Sequence, residues 1–368
     1  MLEGRRATTG RCRPPLHGSD RVGPRTRSEA GLTRPTLDRV STATDVDVTA
    51  RARDILGVSR LTNSALTGWL HGLPGVDQVG CEARAASLST RSIKTSSKAW
   101  AVDTAISMID LTTLEGADTP GKVRGLASRA LVPDPSDPTT PRPAAVCVYG
   151  DMVPFAKEVL GEYPVNVAAV ATAFPSGRAS RAVKLADTRD AVANGADEID
   201  MVIDRGAFLT GDFRAVFDEI AETKAACGDA RLKVILETGE LSTYDNVRRA
   251  SWLSMLAGGD FIKTSTGKIS PAATLPVTLV MLEAVRDWRE LTGEQVGVKP
   301  AGGIRTSKDA IKFLVTVHEV AGEDWLDNHW FRFGASSLLN DLILQRQKMA
   351  TGAYSGGDYV ADDAPSGY

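Results

Sequence analysis

Two lysines stand where short apolar runs give way to small, glycine-rich segments: Lys263 in FIKTSTGK and Lys299 in VGVKPAGGIRT. If both runs are neighbouring strands, two ammonium groups face one cavity, which is costly unless one of them gives up its proton. Burial and like charge both lower a lysine pKa and free an amine for nucleophilic attack. A lone lysine at a strand end is ordinarily a surface residue with its stem laid over apolar neighbours. Two of them, each flanked by small residues, point to Schiff-base chemistry at Lys263. The segment GADEIDMVID adds Glu198 and Asp200 on one side of a strand, with Ile199 and Met201 on the other. Asp200 sits among apolar neighbours, where an unpaired carboxylate is expensive. A lysine partner resolves that cost, and the pair could then move protons around a carbinolamine. The plainer alternative, for Glu198 above all, is pairing with structural cations below the site.

Three further segments could hold an anion: Gly267-Lys268, Gly302-Gly303 and Gly334-Ala335-Ser336-Ser337. Glycines let backbone N–H groups approach a phosphate closely, and the serines open a helix whose N-terminus favours negative charge. Each pair alone is weak, since turns need Gly anyway.

Something must bring these segments together. Strand-like runs fall at Ala105–Leu111, Ala144–Tyr149, Asn166–Ala173, Glu198–Ile203, Leu232–Glu237, Asp260–Thr264, Val296–Lys299 and Phe331–Gly334. Amphipathic helices lie between them: Phe213, Val216, Phe217 and Ile220 share one face, as do Val277, Val280, Met281 and Ala284, and Ala310, Phe313, Leu314 and Val317. Eight strands alternating with helices predict an α/β fold, a TIM (β/α)8 barrel over residues 98–351, with function at the C-terminal strand ends. A doubly wound sheet is the alternative, but no GxGxxG turn follows the first strand.

The chain has 368 residues, room for such a barrel and extensions. Residues 1–50 read as a disordered tail, with eight arginines against three acids up to Thr36; an organelle transit peptide is the alternative. Residues 51–97 read as a helical extension, with helices around Ala50–Leu56 and Val79–Leu88, and 352–368 as a flexible tail. A net charge of −3 gives no reason to expect nucleic acid as a partner, and no apolar run approaches the length of a membrane span. The four scattered cysteines and four scattered histidines form no metal-like cluster, and the cysteines fit a reducing, cytoplasmic setting.

The sequence resembles the deoxyribose-phosphate aldolase family from about residue 98 to 350, through IDLTTL, VCVYG, TAFPSG, GADEIDMVID, LKVILETGEL, DFIKTSTGK, VGVKPAGGIRT and RFGASSLL. The resemblance implies retro-aldol cleavage of 2-deoxyribose 5-phosphate to glyceraldehyde 3-phosphate and acetaldehyde, in deoxyribonucleoside catabolism. It makes Lys263 the Schiff-base lysine, Lys299 the lysine that perturbs it and Asp200 the acid/base group. It places Asp110, Thr112 and Thr266 near the sugar hydroxyls and Cys147 on the pocket wall. Gly267, Lys268, Gly302, Gly303, Gly334, Ser336 and Ser337 match its phosphate-facing loops. No metal or cofactor is implied, the partners are a phosphorylated sugar and aldehydes, and a homodimer is left open. Gly150 and Ala173 depart from the family pattern, where Pro and Asn are common. Some members end in a tyrosine that assists proton transfer; Tyr354, Tyr359 and Tyr368 compete for that part here. Another class I aldolase of phosphorylated sugars, a non-catalytic sugar-phosphate sensor, and nucleic-acid binding by the Arg-rich tail are the alternative functions.

Overall fold

The apolar runs fall on eight short parallel strands in a computed structural model that describes residues 47–353. They are β1 (Ile109–Thr112), β2 (Ala145–Tyr149), β3 (Asn166–Ala171), β4 (Glu198–Val202), β5 (Arg231–Ile235), β6 (Phe261–Lys263), β7 (Gly297–Lys299) and β8 (Phe333–Ala335). The ladder runs in sequence order from β1 to β7, with β8 against β1. Bridges Val298–Phe331 and Ala301–Gly334 join its two ends, so the sheet wraps into a barrel.

Four helices precede the first strand: α1 (Val48–Leu56), α2 (Asn63–His71), α3 (Gln78–Ser89) and α4 (Thr95–Ser107). The outer layer then follows as α5 (Pro120–Leu131), α6 (Val153–Leu160), α7 (Arg181–Ala193), α8 (Arg205–Leu209), α9 (Phe213–Cys227), α10 (Tyr244–Leu256), α11 (Leu275–Thr292), α12 (Ser307–Val320) and α13 (Ser337–Thr351). The three helical faces read from the sequence lie on α9, α11 and α12. Helices α1 to α3 are laid on α9 to α12 and share one apolar core with the barrel, through Ala52, Leu66, Leu70, Ala85 and Leu88. Trp69 of α2 meets Trp252 of α10, which meets Trp288 of α11, both edge-on. Such aromatic contacts add to the area they bury.

Three strand boundaries correct the expectation. Ala105–Ser107 closes α4 rather than opening the first strand, because Ala101, Val102, Ala105 and Ile106 form one buried helical stripe. At their C-terminal ends the third and fifth strands stop short of Ala173 and Glu237, since Thr172, Ala173 and Glu237 take positive φ (61°, 61° and 54°) and turn the chain out of the ladder.

Alternation sets what faces inward. Ile199, Met201, Val234, Ile262 and Val298 point out to the helices and belong to the main core. Inside, β2 and β3 present a small apolar wall of Cys147, Ala168 and Val170, continued by Leu114, with Tyr149 and Phe174 packed on it. Asp110, Glu198, Asp200, Lys233, Lys263 and Lys299 also face inward, with Val202, Ile235 and Phe261 between them. Glycine makes room among them: a Cβ on Gly297 would stand 2.2 Å from the Phe261 ring, and one on Gly334 would meet Ala301 Cβ at 2.7 Å and Lys299 Cε at 3.2 Å.

Candidate active site

Lys263 and Lys299 are direct register partners across β6 and β7, so their side chains leave adjacent strands on the same side. Both reach one oxygen, Asp200 Oδ2, to which each Nζ donates at 2.8 Å. Asp200 comes from β4, and its other oxygen accepts from Lys233 Nζ of β5 at 3.0 Å. Lys299 also pairs with Asp110 of β1 at 2.5 Å. Beneath them Arg332, just before β8, donates to Asp110 Oδ1 at 2.7 Å and to Glu198 Oε1 at 3.0 Å, while Lys233 donates to Glu198 Oε2. Asn166 Nδ2 donates to Glu198 Oε1 at 2.8 Å. Every one of these seven ionisable side chains is buried, none more than 3% exposed.

Four cations (Lys233, Lys263, Lys299, Arg332) thus meet three carboxylates (Asp110, Glu198, Asp200), and the mismatch falls on one group. Burial drives the Lys263 ammonium below its usual range; Asp200 opposes this and the neighbouring Lys299 charge reinforces it. Burial acts on Lys299 in the same direction, but Asp110 and Asp200 outweigh it and hold that amine protonated. Lys233 and Arg332 are likewise held above their ordinary values by their carboxylate partners, against burial. Burial favours the neutral form of Asp200, yet Lys233, Lys263 and Lys299 keep its carboxyl well below the ordinary range. The cluster therefore holds one amine shifted toward its free base beside a carboxylate that can accept a proton and an ammonium that stays charged. That combination suits addition to a carbonyl.

Glu198 lies with Lys233, Arg332 and Asn166, which matches the structural-cation alternative left open for it. Asp110 is enclosed by Lys299 and Arg332, and Thr112 Oγ1 donates to the Asp110 carbonyl at 2.7 Å. Cys147 lies on the apolar wall, where burial pushes its thiol up. A space of about 250 Å³ opens at this end of β2 and β3, lined by Tyr149, Val170 and Phe174 among others. A larger groove of about 850 Å³ lies between α4 and α12 on the outside of the barrel, and neither space is lined by any of the seven charges.

The loops after β6 and β7 abut. A Cβ on Gly302 would stand 2.8 Å from Ala272 Cβ and 3.2 Å from Gly267 Cα; Gly267, Gly302 and Gly303 all have positive φ. Lys268 Nζ donates to Glu115 at 2.9 Å. The Thr266 hydroxyl donates to Glu237 Oε2 at 2.5 Å and accepts from Lys268 N at 3.1 Å. Ser336 Oγ accepts from Thr112 N at 3.3 Å and donates to the Thr112 carbonyl, tying β8 to β1, while Ser337 opens α13. Gly334 lies beside the Lys299 stem, where its missing side chain serves packing. Tyr354, Tyr359 and Tyr368 lie outside the described residues.

Lys233, Arg332 and Glu237 went unread in the sequence. Strand parity could have found Lys233, which is paired in register with Asp200. Arg332 precedes its strand, and Glu237 is buried by a turn; neither carries a local signal. Among the described residues no group of three or more His, Cys, Asp or Glu side chains is placed to hold a metal ion, and no helix is long and apolar enough to cross a membrane.

Residues 104–343 match the DeoC/LacD family aldolase pattern. The chain is 45% identical over 278 residues to the deoxyribose-phosphate aldolase of Mus musculus, covering 72% of this chain and 86% of that protein. It is 46% identical over 270 residues to that of Homo sapiens, covering 70% and 84%. A tetrameric deoxyribose phosphate aldolase structure from Aeropyrum pernix shares the fold at 23% identity, with a TM-score of 0.50 over 71% of this chain and all of the other. With the family pattern spanning most of the barrel and relatives matched over most of their length, the chain belongs to the DeoC/LacD aldolase family.

Proposed function

We propose that this protein cleaves 2-deoxy-D-ribose 5-phosphate reversibly to D-glyceraldehyde 3-phosphate and acetaldehyde through a Schiff base on Lys263. The observation that carries this reading is the buried Lys263 amine, register-paired with Lys299 and sharing one Asp200 oxygen with it. The neutral amine adds to the C1 aldehyde. The alkoxide formed takes one proton from solvent; Asp200, shared with Lys299, takes the proton released from nitrogen and passes it to the resulting hydroxyl, so that water leaves. The resulting iminium draws electrons from the C2–C3 bond as the C3 hydroxyl gives its proton to solvent. Glyceraldehyde 3-phosphate departs, leaving an enamine. Protonation at C2 and addition of water then release acetaldehyde and restore the amine. Lys299 stays charged throughout and keeps the amine from holding a proton.

The abutting Gly267-Lys268 and Gly302-Gly303 loops, with the α13 N-terminus at Ser337, support phosphate binding, because positive-φ glycines and helix-end N–H groups suit an anion. The apolar wall of Cys147, Ala168 and Val170 supports a site for the two-carbon product. The free, buried thiols of Cys81, Cys147 and Cys227 support a reducing, cytoplasmic setting. Borohydride reduction in the presence of acetaldehyde or deoxyribose 5-phosphate should leave a covalent adduct on Lys263, read by peptide mass. An adduct on a different lysine, or none, overturns the mechanism.

A further inference from the structure

The reaction needs Lys263, Lys299 and Asp200, but the barrel interior holds four more charges beneath them. Arg332 is 2% exposed and lies between two carboxylates, at 2.7 Å from Asp110 Oδ1 and 3.0 Å from Glu198 Oε1. It is not among the groups that reach the shared Asp200 oxygen; its influence passes through Asp110, which holds Lys299, and through Glu198, which holds Lys233. Lys233 in turn occupies Asp200 Oδ1 and leaves Oδ2 to Lys263 and Lys299.

We propose that Arg332 is a positioning residue for the reaction: it supplies the third permanent cation to three buried carboxylates and so leaves Lys263 without a carboxylate of its own. With Arg332, Lys233 and Lys299 charged, Asp110, Glu198 and Asp200 are neutralised one for one. A proton on Lys263 is then an excess positive charge in a buried space. Buried charge without a partner is strongly disfavoured, so the amine is kept basic in form and nucleophilic. The same balance acts later in the cycle. The iminium carries one positive charge that the cluster does not match and the enamine carries none, so C2–C3 cleavage relieves the imbalance.

Removing Arg332 should reverse this. Three carboxylates then face Lys233, Lys299 and Lys263, and the third positive charge is drawn onto Lys263. The charged groups in that count are Asp110, Glu198, Asp200, Lys233, Lys263, Lys299 and Arg332; the Cys147 thiol also faces Lys263 and Lys299, and burial pushes it up toward its neutral form. The inference rests on Lys263 being the Schiff-base amine.

The test compares Arg332→Met, Glu198→Gln and the double variant Arg332→Met/Glu198→Gln in the full chain. It reads the pH dependence of kcat/KM for deoxyribose 5-phosphate, and of borohydride trapping of acetaldehyde on Lys263. In Arg332→Met the acid limb of both profiles should move up by about one pH unit, with about tenfold loss at neutral pH. In the double variant, which loses one cation and one carboxylate, the limb should return to its wild-type position whatever the change in kcat. A purely structural Arg332 gives lower yield or melting temperature with an unmoved limb, and that result overturns the proposal. So does a limb that stays shifted in the double variant. The double variant leaves no unpaired charge and keeps the test readable if Arg332→Met alone folds poorly. Absence of any adduct on Lys263 in the wild-type protein is a separate outcome: it overturns the Schiff-base reading beneath the inference.

Discussion

Two groups of charge in this molecule are each built on a buried lysine–carboxylate pair and differ in how their charges balance. Between α7 and α9, Lys184 Nζ donates to Glu219 Oε2 at 2.8 Å, with both side chains almost fully enclosed. Arg181 approaches the same carboxylate at 3.7 Å and pairs with Glu222 at 3.0 Å, so two cations meet two carboxylates. Arg181 and Glu222 are partly exposed, whereas the barrel interior is closed throughout and sets four cations against three carboxylates. A matched set has no reason to release a proton and serves only to hold two helices in place. An odd set must leave one member without full compensation, and there that member is Lys263, at the C-terminal end of a strand. Burial of charge is thus not in itself a mark of function; the imbalance is.

That contrast can be broken most directly at its two lysines. Lys263→Ala should lower kcat/KM by at least about 10³-fold and abolish borohydride trapping while leaving the fold intact by circular dichroism. Lys184→Met should do the reverse, destabilising the protein by about 3 kcal/mol in denaturant titration with kcat/KM per folded molecule unchanged. Comparable activity in the two variants would erase the distinction. Next in size, Lys299→Leu removes the like charge beside Lys263. The acid limb of the rate profile should then move to higher pH, with about 10–100-fold loss at neutral pH and partial recovery in alkali. Gly302→Ala leaves the lysines alone and places a methyl 2.8 Å from Ala272 Cβ at a φ of +79°. It should raise KM for the phosphorylated sugar about tenfold and leave acetaldehyde trapping little changed.

The smallest effect separates the two sets by sign. Burial raises the Glu219 carboxyl above its ordinary value of 4.5, so its contribution to stability is present below that pH and lost as pH rises through the folded value. Glu198 is also buried, yet Lys233 and Arg332 hold it below 4.5, so its contribution is present above 4.5 and lost as pH falls toward the folded value. The melting-temperature gap between wild type and Glu219→Gln should therefore narrow by a few degrees as pH rises from 4 to 8, about what one kcal/mol is worth in a chain of this size. For Glu198→Gln the gap should narrow as pH falls from 6 to 3. Gaps that move in the same direction in both variants would show that the two clusters are electrostatically alike.

Much of the scaffold was legible because it depends on local pattern. The strands β2 to β8 sit in runs marked by apolar side chains, and α9, α11 and α12 sit where apolar residues recur on one helical face. The opening of the first strand was misread because Ala105 and Ile106 are as apolar as strand residues, and only their packing with Ala101 and Val102 shows a helix. In the site, Lys263 and Lys299 stand out because charge at the end of an apolar run is anomalous. Asp200 stands out for the same reason in the middle of one. Lys233 is no less anomalous, but in LKVIL it reads as a strand edge facing solvent unless its parity is followed around the sheet.

The sequence alone determined which residue types were available and on which strands: an amine at the tip of β6, another at the tip of β7, a carboxylate inside β4, and glycines in the loops that follow β6 and β7. Those follow from apolar periodicity and backbone conformation, which are properties of neighbours in the chain. Only the tertiary structure decided that Asp200 is shared by three lysines and that Arg332 closes the count from below. It likewise decided that Glu198 belongs to the foundation of the site and that Gly334 is there to admit Lys299. Electrostatic coupling depends on distance through space and on exclusion of water, and closing eight strands into a barrel brings together charges up to 222 residues apart in sequence.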